Sequence, residues 1–414
     1  MTEIGTLPQE WDVARLGDAV SVYDKQRIPL RSEDRQGMQG GFPYCGANGI
    51  IDHINQYIFD GEFVLLAEDG GYWHSFEESS YVMNGKFWVN NHAHILAAID
   101  GKAANYYLMY ALNYLDISVF IGGTTRGKLT QGVMKAIPIP LPPLPEQKAI
   151  TRVLSTIQLA IETQDKIIAA ARELKKSLMH HLFTYGPMPV AEADKVPLKE
   201  TEIGPVPERW QVVRLGQKCD VKGGKRLPKG HAFSDKPTPH PYIRVIDFRG
   251  GSVDLSNLKF LTDEDYQTIR RYTINTDEVY ISIAGTIGLI GTIPNELSGA
   301  NLTENAAKLV IKEKSELNNI FLKYALSTEN LRQQIFKLTT KTSQPKLALS
   351  RIQQIIIPLP LTSEQQEIVN MLSAVDKKIE AEENRKSALQ ALFKTMLHHL
   401  MTGKVRVNHL EAEV

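Results

Sequence analysis

The chain of 414 residues has little cysteine, no long apolar run and no net charge. Its two cysteines, Cys45 and Cys219, exclude a disulfide framework and favour a reducing compartment. The absence of an apolar run of about eighteen residues, and of a signal-peptide pattern at the N-terminus, predicts a soluble, cytoplasmic protein without membrane contact. Because 47 Lys and Arg balance 47 Asp and Glu, a free-standing nucleic-acid-binding protein is disfavoured.

The charge is nevertheless unevenly distributed. Residues 1–145 contain 10 Lys and Arg against 16 Asp and Glu, whereas residues 186–362 contain 24 against 19. Any affinity for a polyanion must therefore come from local patches or from a basic partner. The length leaves room for two or three domains, each with its own core.

The sequence also lacks recognisable catalytic and metal-binding motifs. Gly224-Lys225 is followed by Arg226 and not by the pattern of a phosphate-binding loop, and an Asn/Asp-Pro-Pro-aromatic motif is missing. His92 and His94 alternate along a predicted strand, but no further Cys or His follows at ligand spacing. The acidic residues of the predicted loops have no base or nucleophile beside them. We therefore expect no catalytic residue and no metal site in this chain.

What the chain does contain is an internal repeat. The opening motif TEIGTLPQEWDVARLGD at 2–18 recurs as TEIGPVPERWQVVRLGQ at 201–217, an offset of 199. The segments that start at Glu146 and Glu364 repeat at an offset of 218, and both end in His-His-Leu. The chain is thus two copies of one unit: opening motif, globular domain, proline-rich segment and long helix. The globular bodies have diverged, while the parts around them are shared.

Each long segment has apolar residues at the three-then-four spacing of an amphipathic helix that packs on another helix. At about 1.5 Å per residue, roughly 36 residues give a helix of about 54 Å. The predicted packing residues are Ile150, Leu154, Ile157, Ile161 and Leu178 in the first copy, and Ile368, Leu372, Val375, Ile379, Leu389 and Met396 in the second. We expect the two helices to pack antiparallel as a spacer with a globular domain at each end. Two core helices of an ordinary enzyme are the alternative.

The predicted fold class is α/β (α+β), with two globular domains of mixed strands and helices and a pseudo-twofold repeat. Periodicity predicts helices over residues 105–115 and 320–336. The expected boundaries are globular domains at 1–143 and 208–361, spacer helices at 144–185 and 362–402, a linker at 186–207 and a C-terminal tail at 403–414.

Several glycine-containing loops combine cationic, aromatic and amide side chains. Arg and Lys suit guanine edges, Asn and Gln suit adenine, and small residues let backbone approach phosphate. A solvated turn explains each loop alone equally well, but the parallel placement in both copies favours DNA. The candidate DNA contacts are Lys25, Arg27, Tyr44, Asn48, Tyr72, Thr125, Arg126 and Lys128 in the first copy, and Lys222, Lys225, Arg226, Arg244, Thr286, Thr340, Lys341, Ser343, Gln344 and Lys346 in the second.

The repeated motifs resemble those of the DNA-specificity subunits of bacterial and archaeal type I restriction–modification systems. The resemblance covers essentially the whole chain. It rests on the PxxW…RLG motif at Pro8/Trp11 and Pro207/Trp210, and on the proline-rich segments at 138–147 and 357–365. It is strengthened by PYCGANGI at 43–50, NNHAHIL at 90–96, GKRLPKG at 224–230 and ISIAGTIG at 281–288.

The resemblance implies two target-recognition domains, each recognising one half of a split DNA site, and two spacer helices that set the gap and dock two modification subunits. Those partners would carry S-adenosylmethionine and methylate adenine, and restriction subunits, where present, would add ATP- and Mg-dependent cleavage. This chain itself would be non-catalytic and would bind no cofactor. A subunit of a related methyltransferase-only system, an enzyme with an unrecognised site, and a coiled-coil scaffold without DNA recognition are the alternatives.

Overall fold

The computed structural model of the chain describes residues 7–123, 127–340 and 345–409. The chain divides into two compact units. The first unit comprises residues 1–167 and 382–414, and the second comprises residues 168–381. Each unit therefore contains one globular body together with a part of each long helix.

A mixed sheet forms the body of the first unit. Its strand order is Val20–Val22, Ala93–Ala98, Phe59–Ala67, Ser80–Val89, Gln39–Gly46 and Gly49–Ile54. Both faces of the strand Phe59–Ala67 are covered, since Val64 and Leu66 pack into one apolar cluster and Leu65 into another. The accompanying helices are Leu16–Ala19, Ser32–Gln36, Asn105–Tyr114 and Gln131–Ala136, with 3-10 turns at Asp24–Gln26 and Ile117–Phe120.

The second unit contains smaller sheets. One has the order Cys219–Gly223, Ala306–Ile311, Val279–Ser282 and Ile290–Gly291, and the other Lys259–Phe260, Pro241–Ile243, Ala300–Leu302 and Thr273–Ile274. Two hairpins join Leu198–Lys199 to Val206–Pro207 and Phe248–Arg249 to Ser252–Val253. The short helices are Leu215–Lys218, Asp263–Ile269, Asn319–Leu326, Glu329–Leu338 and Leu349–Ile352, with 3-10 turns at Val190–Lys195, Val245–Asp247 and Asn295–Leu297.

The helix predicted over 320–336 is in fact two helices. It is interrupted at Ser327 and Thr328, between Asn319–Leu326 and Glu329–Leu338. The Ser327 hydroxyl donates to the Lys323 carbonyl and the Thr328 hydroxyl to the Ala325 carbonyl, both at 2.7 Å. Side-chain hydroxyls that bond to helix carbonyls in this way weaken and bend a helix, which fits a change of direction at this point.

In both copies the opening motif pairs with the proline-rich segment as an antiparallel two-stranded ladder. Asp12–Arg15 pairs with Pro138–Leu141, and Gln211–Arg214 pairs with Ile356–Leu359. Proline lacks an N–H group, so it is tolerated in a ladder with a free edge but not inside a wide sheet. The repeated prolines therefore fit a short ladder that ends where the long helix begins.

A tryptophan and a glutamate then fix the start of each long helix. The Trp11 indole donates to the Glu146 carboxylate at 3.0 Å, and the Trp210 indole donates to the Glu364 carboxylate at 3.2 Å. The next residue, Gln147 or Gln365, donates to the carbonyl of Pro142 or Pro360 at 2.9 and 3.0 Å. We call this arrangement of Trp, Glu and Gln the helix-start clamp. It explains why these motifs are present twice.

The long helices span Leu144–Tyr185 and Thr362–Met401. Within each unit, the beginning of one helix lies antiparallel to the end of the other. Ile150 and Leu154 pack with Leu397 and Leu400 in the first unit. In the second unit, Ile368 and Leu372 share a core with Leu178 and Leu182. All eleven residues predicted to pack along these helices are buried or half-buried: Ile150, Leu154, Ile157, Ile161, Leu178, Ile368, Leu372, Val375, Ile379, Leu389 and Met396.

One buried polar pair interrupts the apolar contact between the helices in the first unit. The Gln164 amide donates to the Glu382 carboxylate, and both residues are almost fully buried. The two residues are separated by the repeat offset of 218, so each is the counterpart of the other. A residue meets its own counterpart only at the centre of an antiparallel pair. A polar pair at such a position favours one register over its neighbours, because any slip would bury both groups against apolar side chains.

The predicted fold class is confirmed: mixed strands and helices, two long antiparallel helices and an internal repeat. Within the described part of the chain, no helix combines the length and the apolar character needed to cross a bilayer.

The helix-start clamp yields a matched pair of variants. Glu146 is 2% exposed and also receives the guanidinium of Arg406, at 2.7 and 2.9 Å. Glu364 is more exposed, at 14% of its side chain, and receives Arg209 instead. We expect Arg406→Met to lower the free energy of local opening at the start of the first long helix by about 2–3 kcal/mol, since a buried carboxylate loses its cation. Arg209→Met should cost the second helix about 1 kcal/mol or less.

Amide hydrogen exchange in the full chain measures both openings separately, at residues 147–152 and 365–370. Equal losses at the two helices would contradict the role given to burial of the carboxylate.

Candidate nucleic-acid interface

In the first unit, a candidate DNA loop is tied to the end of a central strand. The strand Phe59–Ala67 is followed by a loop at 68–74. Lys128 forms an isolated bridge with Asp69, and the Leu129 amide donates to the Glu68 carbonyl at 2.7 Å. This contact holds the C-terminal end of the 122–128 loop beside the 68–74 loop. The candidates Thr125 and Arg126 lie outside the described residues.

The second unit anchors its corresponding loop in the same way. Lys346 forms an isolated bridge with Ala284, and the Leu347 amide donates to the Ile283 carbonyl at 3.0 Å. Lys128 and Lys346 are separated by 218, the offset of the long helices. Both units therefore place a lysine next to a turn that follows a central strand. The candidates Lys341, Ser343 and Gln344 lie outside the described residues.

Three of the first-copy candidates contribute to one surface. The Asn48 amide donates to the Gly70 carbonyl at 3.0 Å, which joins the 46–49 turn to the 68–74 loop. Tyr72, in the same loop, is 59% exposed, and the Lys128 side chain is 51% exposed. We call Asn48, Tyr72 and Lys128 the first loop surface. An amide, an aromatic ring and a cation in this proximity can hydrogen-bond a base edge, contact a sugar and bind a phosphate.

Other first-copy candidates occupy different positions. Lys25 is exposed in a 3-10 turn. Tyr44 is only 1% exposed; its hydroxyl accepts the Leu30 amide at 2.9 Å, and Arg35 lies 4.8 Å above its ring. Tyr44 is thus a core residue that supports the strand Gln39–Gly46 and offers little side-chain surface to a ligand.

Beneath the first loop surface lies a network of buried charges. Arg27 contacts the Glu68 carboxylate and donates to the Ala93 carbonyl at 2.8 Å. Lys128 reaches the same carboxylate at 2.8 Å. Glu68 is 7% exposed and the Arg27 side chain 14%, so Arg27 supports the surface from below while Lys128 forms part of it.

Asp24 and His94 continue this network. His94 Nδ1 lies 2.6 Å from Asp24, and its Nε2 lies 2.8 Å from the Leu129 carbonyl. Burial alone would raise the pKa of Asp24, but the hydrogen bond and charge of His94, together with Arg27, outweigh it and hold that pKa below its usual value. For Glu68, likewise, hydrogen bonds from Lys128 and Arg27 outweigh burial and lower the pKa.

Asp24, Glu68 and His94 present ligand atoms within 4.8 Å of one another, which is close enough for a metal ion. The surrounding groups favour an ion-pair network instead. Arg27 and Lys128 already neutralise the carboxylates. Both ring nitrogens of His94 are already engaged, Nδ1 with the Asp24 carboxylate and Nε2 with the Leu129 carbonyl. This is the network that the sequence did not indicate: Asp24 and His94 are 70 residues apart, and only the alternation of His92 and His94 singled out either one.

The second-copy candidates separate into exposed and supporting residues. Lys222, Lys225 and Thr286 are exposed, and Thr286 lies in the turn after Val279–Ser282. Arg226 pairs with Glu304 at 2.9 Å, yet 73% of its side chain is exposed. Arg244 is held by Asp247 at 2.7 Å and donates to the Asn257 carbonyl, so its guanidinium stabilises a turn.

Thr340 belongs to the base of the loop. Its hydroxyl accepts the Lys346 amide at 2.9 Å, so these two residues are hydrogen-bonded to each other. Lys346 itself is exposed. The second unit therefore brings Thr286, Thr340 and Lys346 together at one strand end.

Comparison with known proteins finds similarity to one kind of protein. A family described as type I restriction modification DNA specificity domain matches residues 8–172 and again residues 207–391. The specificity subunit of type I restriction enzyme MjaVIII from Methanocaldococcus jannaschii is 26% identical, over 98% of this chain and 95% of that protein. The EcoBI specificity subunit of Escherichia coli is 24% identical, over 82% of this chain and 74% of its own length.

Among solved structures, the S subunit of a type I restriction–modification system from M. genitalium has a TM-score of 0.63. The identity is 17%, and the alignment covers 97% of this chain and 99% of that one. At this identity the likeness bears on the fold alone.

The buried charges of the first unit predict a pH dependence. A carboxyl group whose pKa is lowered by folding adds stability above its unfolded pKa and loses it as the pH falls through the folded value. We therefore expect the first unit to lose stability progressively as the pH falls below about 4.5, because the carboxyl groups of Glu68 and Asp24 take up protons in the unfolded chain at a pH where the folded chain still holds them ionised. Glu68→Gln should weaken this dependence and cost about 1–3 kcal/mol at neutral pH, because Arg27 and Lys128 lose the carboxylate that they share.

Glu78→Gln is the matched control, since Glu78 is an exposed residue near the same loop. Urea unfolding of the full chain from pH 3 to 7, followed by hydrogen exchange in the strand Phe59–Ala67, separates the two variants. Identical pH profiles for wild type and Glu68→Gln would contradict the assigned ion-pair network.

Proposed function

The chain belongs to the type I restriction–modification DNA-specificity family, and on that premise we propose that it recognises a bipartite, asymmetric DNA site. Each unit would recognise one half-site. The observation that carries the proposal is the repeated anchoring of Lys128 and Lys346 beside a strand-end turn, at the repeat offset of 218. Divergent loops on a repeated anchor are what recognition of two different sequences requires.

We further propose that the chain is the non-catalytic member of a complex with two modification subunits. The long helices carry exposed apolar side chains at counterpart positions, Leu174 and Leu392, which are 59% and 46% exposed. A single exposed apolar residue is ordinary, but its repetition at counterpart positions of the two helices fits contact with two copies of one partner. Those partners would hold S-adenosylmethionine, and restriction subunits, where present, would use ATP and Mg. This arrangement also accounts for the zero net charge, because the partners would supply much of the contact with phosphates.

The two anchored lysines provide mirrored variants for testing recognition. We expect Lys128→Ala and Lys346→Ala, each in the co-expressed complex, to relax sequence preference only in the half-site of the altered unit. The loss should be about 1–3 kcal/mol of discrimination if the side chain reaches a base. If it contacts a phosphate, affinity should fall evenly for all sequences, and the salt dependence should decrease by about one unit of slope.

Adenine-methylation mapping on a library of randomised half-sites measures the first effect, and binding at several salt concentrations measures the second. Each variant controls for the other. Relaxation of the same half-site by both variants would contradict one half-site per unit, and no effect of either would make both loops solvated turns.

A second experiment tests whether the long helices set the gap between the half-sites. Asp165 pairs with Lys386 within the first unit, and Lys175 pairs with Asp376 within the second. Positions 170 and 381 lie midway between these pairs in sequence. A seven-residue helical insertion after both Ala170 and Ala381 keeps the phase of the apolar contact, because seven residues are close to two turns. It adds about 10 Å, or roughly three base pairs.

We expect methylation mapping to give the same half-sites with a gap changed by about three base pairs. The same insertion after Ala170 alone is the control, and it should lose activity because the partner helix is not lengthened. Full methylation at the original gap by the double insertion would exclude the spacer role, and altered half-site bases would exclude the division between units and helices.

A further inference from the structure

In each unit, a short helix packs against the long helices, and the two short helices correspond to each other in the repeat. The segment NYYLMYAL at 105–112 corresponds to NIFLKYAL at 319–326. Tyr110 lies 3.1 Å from Ser155, and its counterpart Tyr324 lies 3.2 Å from Ser373. The two environments are therefore built on the same contacts. One residue of this helix changes character between the copies, from Met109 to Lys323.

The long helix that packs against this position also replaces an apolar residue of the first copy by a lysine in the second. In the first unit, Phe393 packs against Tyr110, with ring centroids 6.1 Å apart. Its counterpart at the offset of 218 is Lys175, whose ammonium lies 5.5 Å from the centre of the Tyr324 ring. Two apolar residues of the first copy are thus lysines in the second. Replacing two facing apolar residues by lysines loses apolar packing and buries positive charge. Both effects lower the stability of the fold unless a negative charge compensates the lysines.

These lysines line a cavity of about 280 Å³ in the second unit. Its lining includes Lys175, Arg249, Lys323 and Arg332, with Asp376 as the acidic residue. Lys175 is paired with Asp376 at 2.6 Å, and the Tyr324 hydroxyl donates to the same carboxylate at 2.7 Å. The carboxylate is therefore already satisfied, and the lining keeps an excess of positive charge.

Lys323 and Arg332 hold most of this excess. Asp376 pairs with Lys175 and Asp254 pairs with Arg249, and among the described residues no carboxylate lies within ion-pair distance of Lys323 or Arg332. The Lys323 ammonium lies 4.6 Å from the Tyr324 ring. Burial lowers the pKa of Lys323, and the nearby Lys175 lowers it further against the opposing effect of Asp376. A half-buried ammonium beside a second one is stabilised most directly by an anion in the cavity.

We propose that this cavity binds one backbone phosphate of the DNA held by the second unit. The inference rests on the proposed function. The volume is just below the usual range of small-molecule sites, about 300–1,000 Å³, so it suits a phosphate group better than a whole nucleotide. Gly288 and Leu289 line the cavity and continue the turn that contains the DNA candidate Thr286. The cavity is thus adjacent to the candidate interface, where the backbone of a bound duplex would pass.

The repeat itself supplies the variant that tests this site. Lys323→Met introduces the residue that the first copy uses at the same position, so the helix is expected to fold. Arg332→Gln, at an exposed position, is a second variant that leaves the buried part unchanged. Lys314→Met is the control, because Lys314 is an exposed lysine of the same unit that pairs with Asp277 and lies outside the cavity lining.

Binding of the co-expressed complex to DNA is measured at several salt concentrations, on the mapped site and on DNA without it. We expect Lys323→Met and Arg332→Gln each to weaken binding about tenfold on both DNAs and to reduce the salt slope by about one. The bases recognised should not change. Lys314→Met should change neither quantity.

Three results would overturn the proposal. In the first, Lys323→Met leaves the salt slope unchanged but abolishes the binding of inorganic phosphate that the wild-type chain shows. The cavity would then be a site for a free anion. An unchanged slope with weaker assembly of the modification subunits would make the ligand a partner's carboxylate. Loss of discrimination at particular bases would make these residues base contacts. If the wild-type complex fails to discriminate the mapped site from other DNA, the proposed function fails first, and the phosphate site fails with it.

Discussion

The structure depends on the helix-start clamp. A long helix transmits a defined position only if its first turn is fixed to the globular body, and here a tryptophan indole and a guanidinium meet the carboxylate of that turn. Burying a carboxylate is costly unless it is paired, so the clamp forms completely or is strongly destabilised. The following glutamine also satisfies the Pro142 carbonyl, which would otherwise be buried without a donor. The same chemistry recurs in the second copy with Arg209 in place of Arg406.

Fixing the helix start leaves the globular bodies free to diverge. Both units keep the anchored lysine, but they support it differently. In the first unit Lys128 sits on Glu68, within a network of buried charges that includes Arg27 and His94. In the second unit the residue at the position of Glu68 is the apolar Ile283, and the loop is held by backbone and hydroxyl hydrogen bonds. One anchor with two kinds of support allows each loop to change without loss of its position.

The charge that this chain can offer to DNA depends on which of its charged residues are buried and paired. The first copy has an excess of acidic residues, which by composition argues against contact with DNA. Asp24 and Glu68 are internal, however, and neutralise Arg27 and Lys128 instead of facing solvent. In the second unit the excess of positive charge is partly concentrated in one cavity around Lys323. Net charge therefore says little about this surface, because the charges that count are those left without a partner.

The sequence alone determined the repeat, the long helices and the mixed composition of the globular bodies. Those features follow from periodicity and offset, which are local properties of the chain, and the apolar residues from Ile150 to Met396 could be selected in this way. The sequence also identified the family through its motifs, and it proposed the two loops that carry Lys128 and Lys346 as candidate DNA contacts. It placed Tyr44 and Arg244 among surface candidates, because residue type gives no information on burial.

Only the tertiary structure decided which of those side chains support the surface and which form it. Arg27 became a support because Glu68 and Ala93 surround it, and Lys323 became a candidate ligand because it faces Lys175 across a cavity. The pairing of Gln164 with its own counterpart Glu382 likewise appears only when the helices pack. The physical reason is the same in each case: periodicity acts between neighbours in the chain, whereas burial and charge pairing act between residues that only the fold brings together.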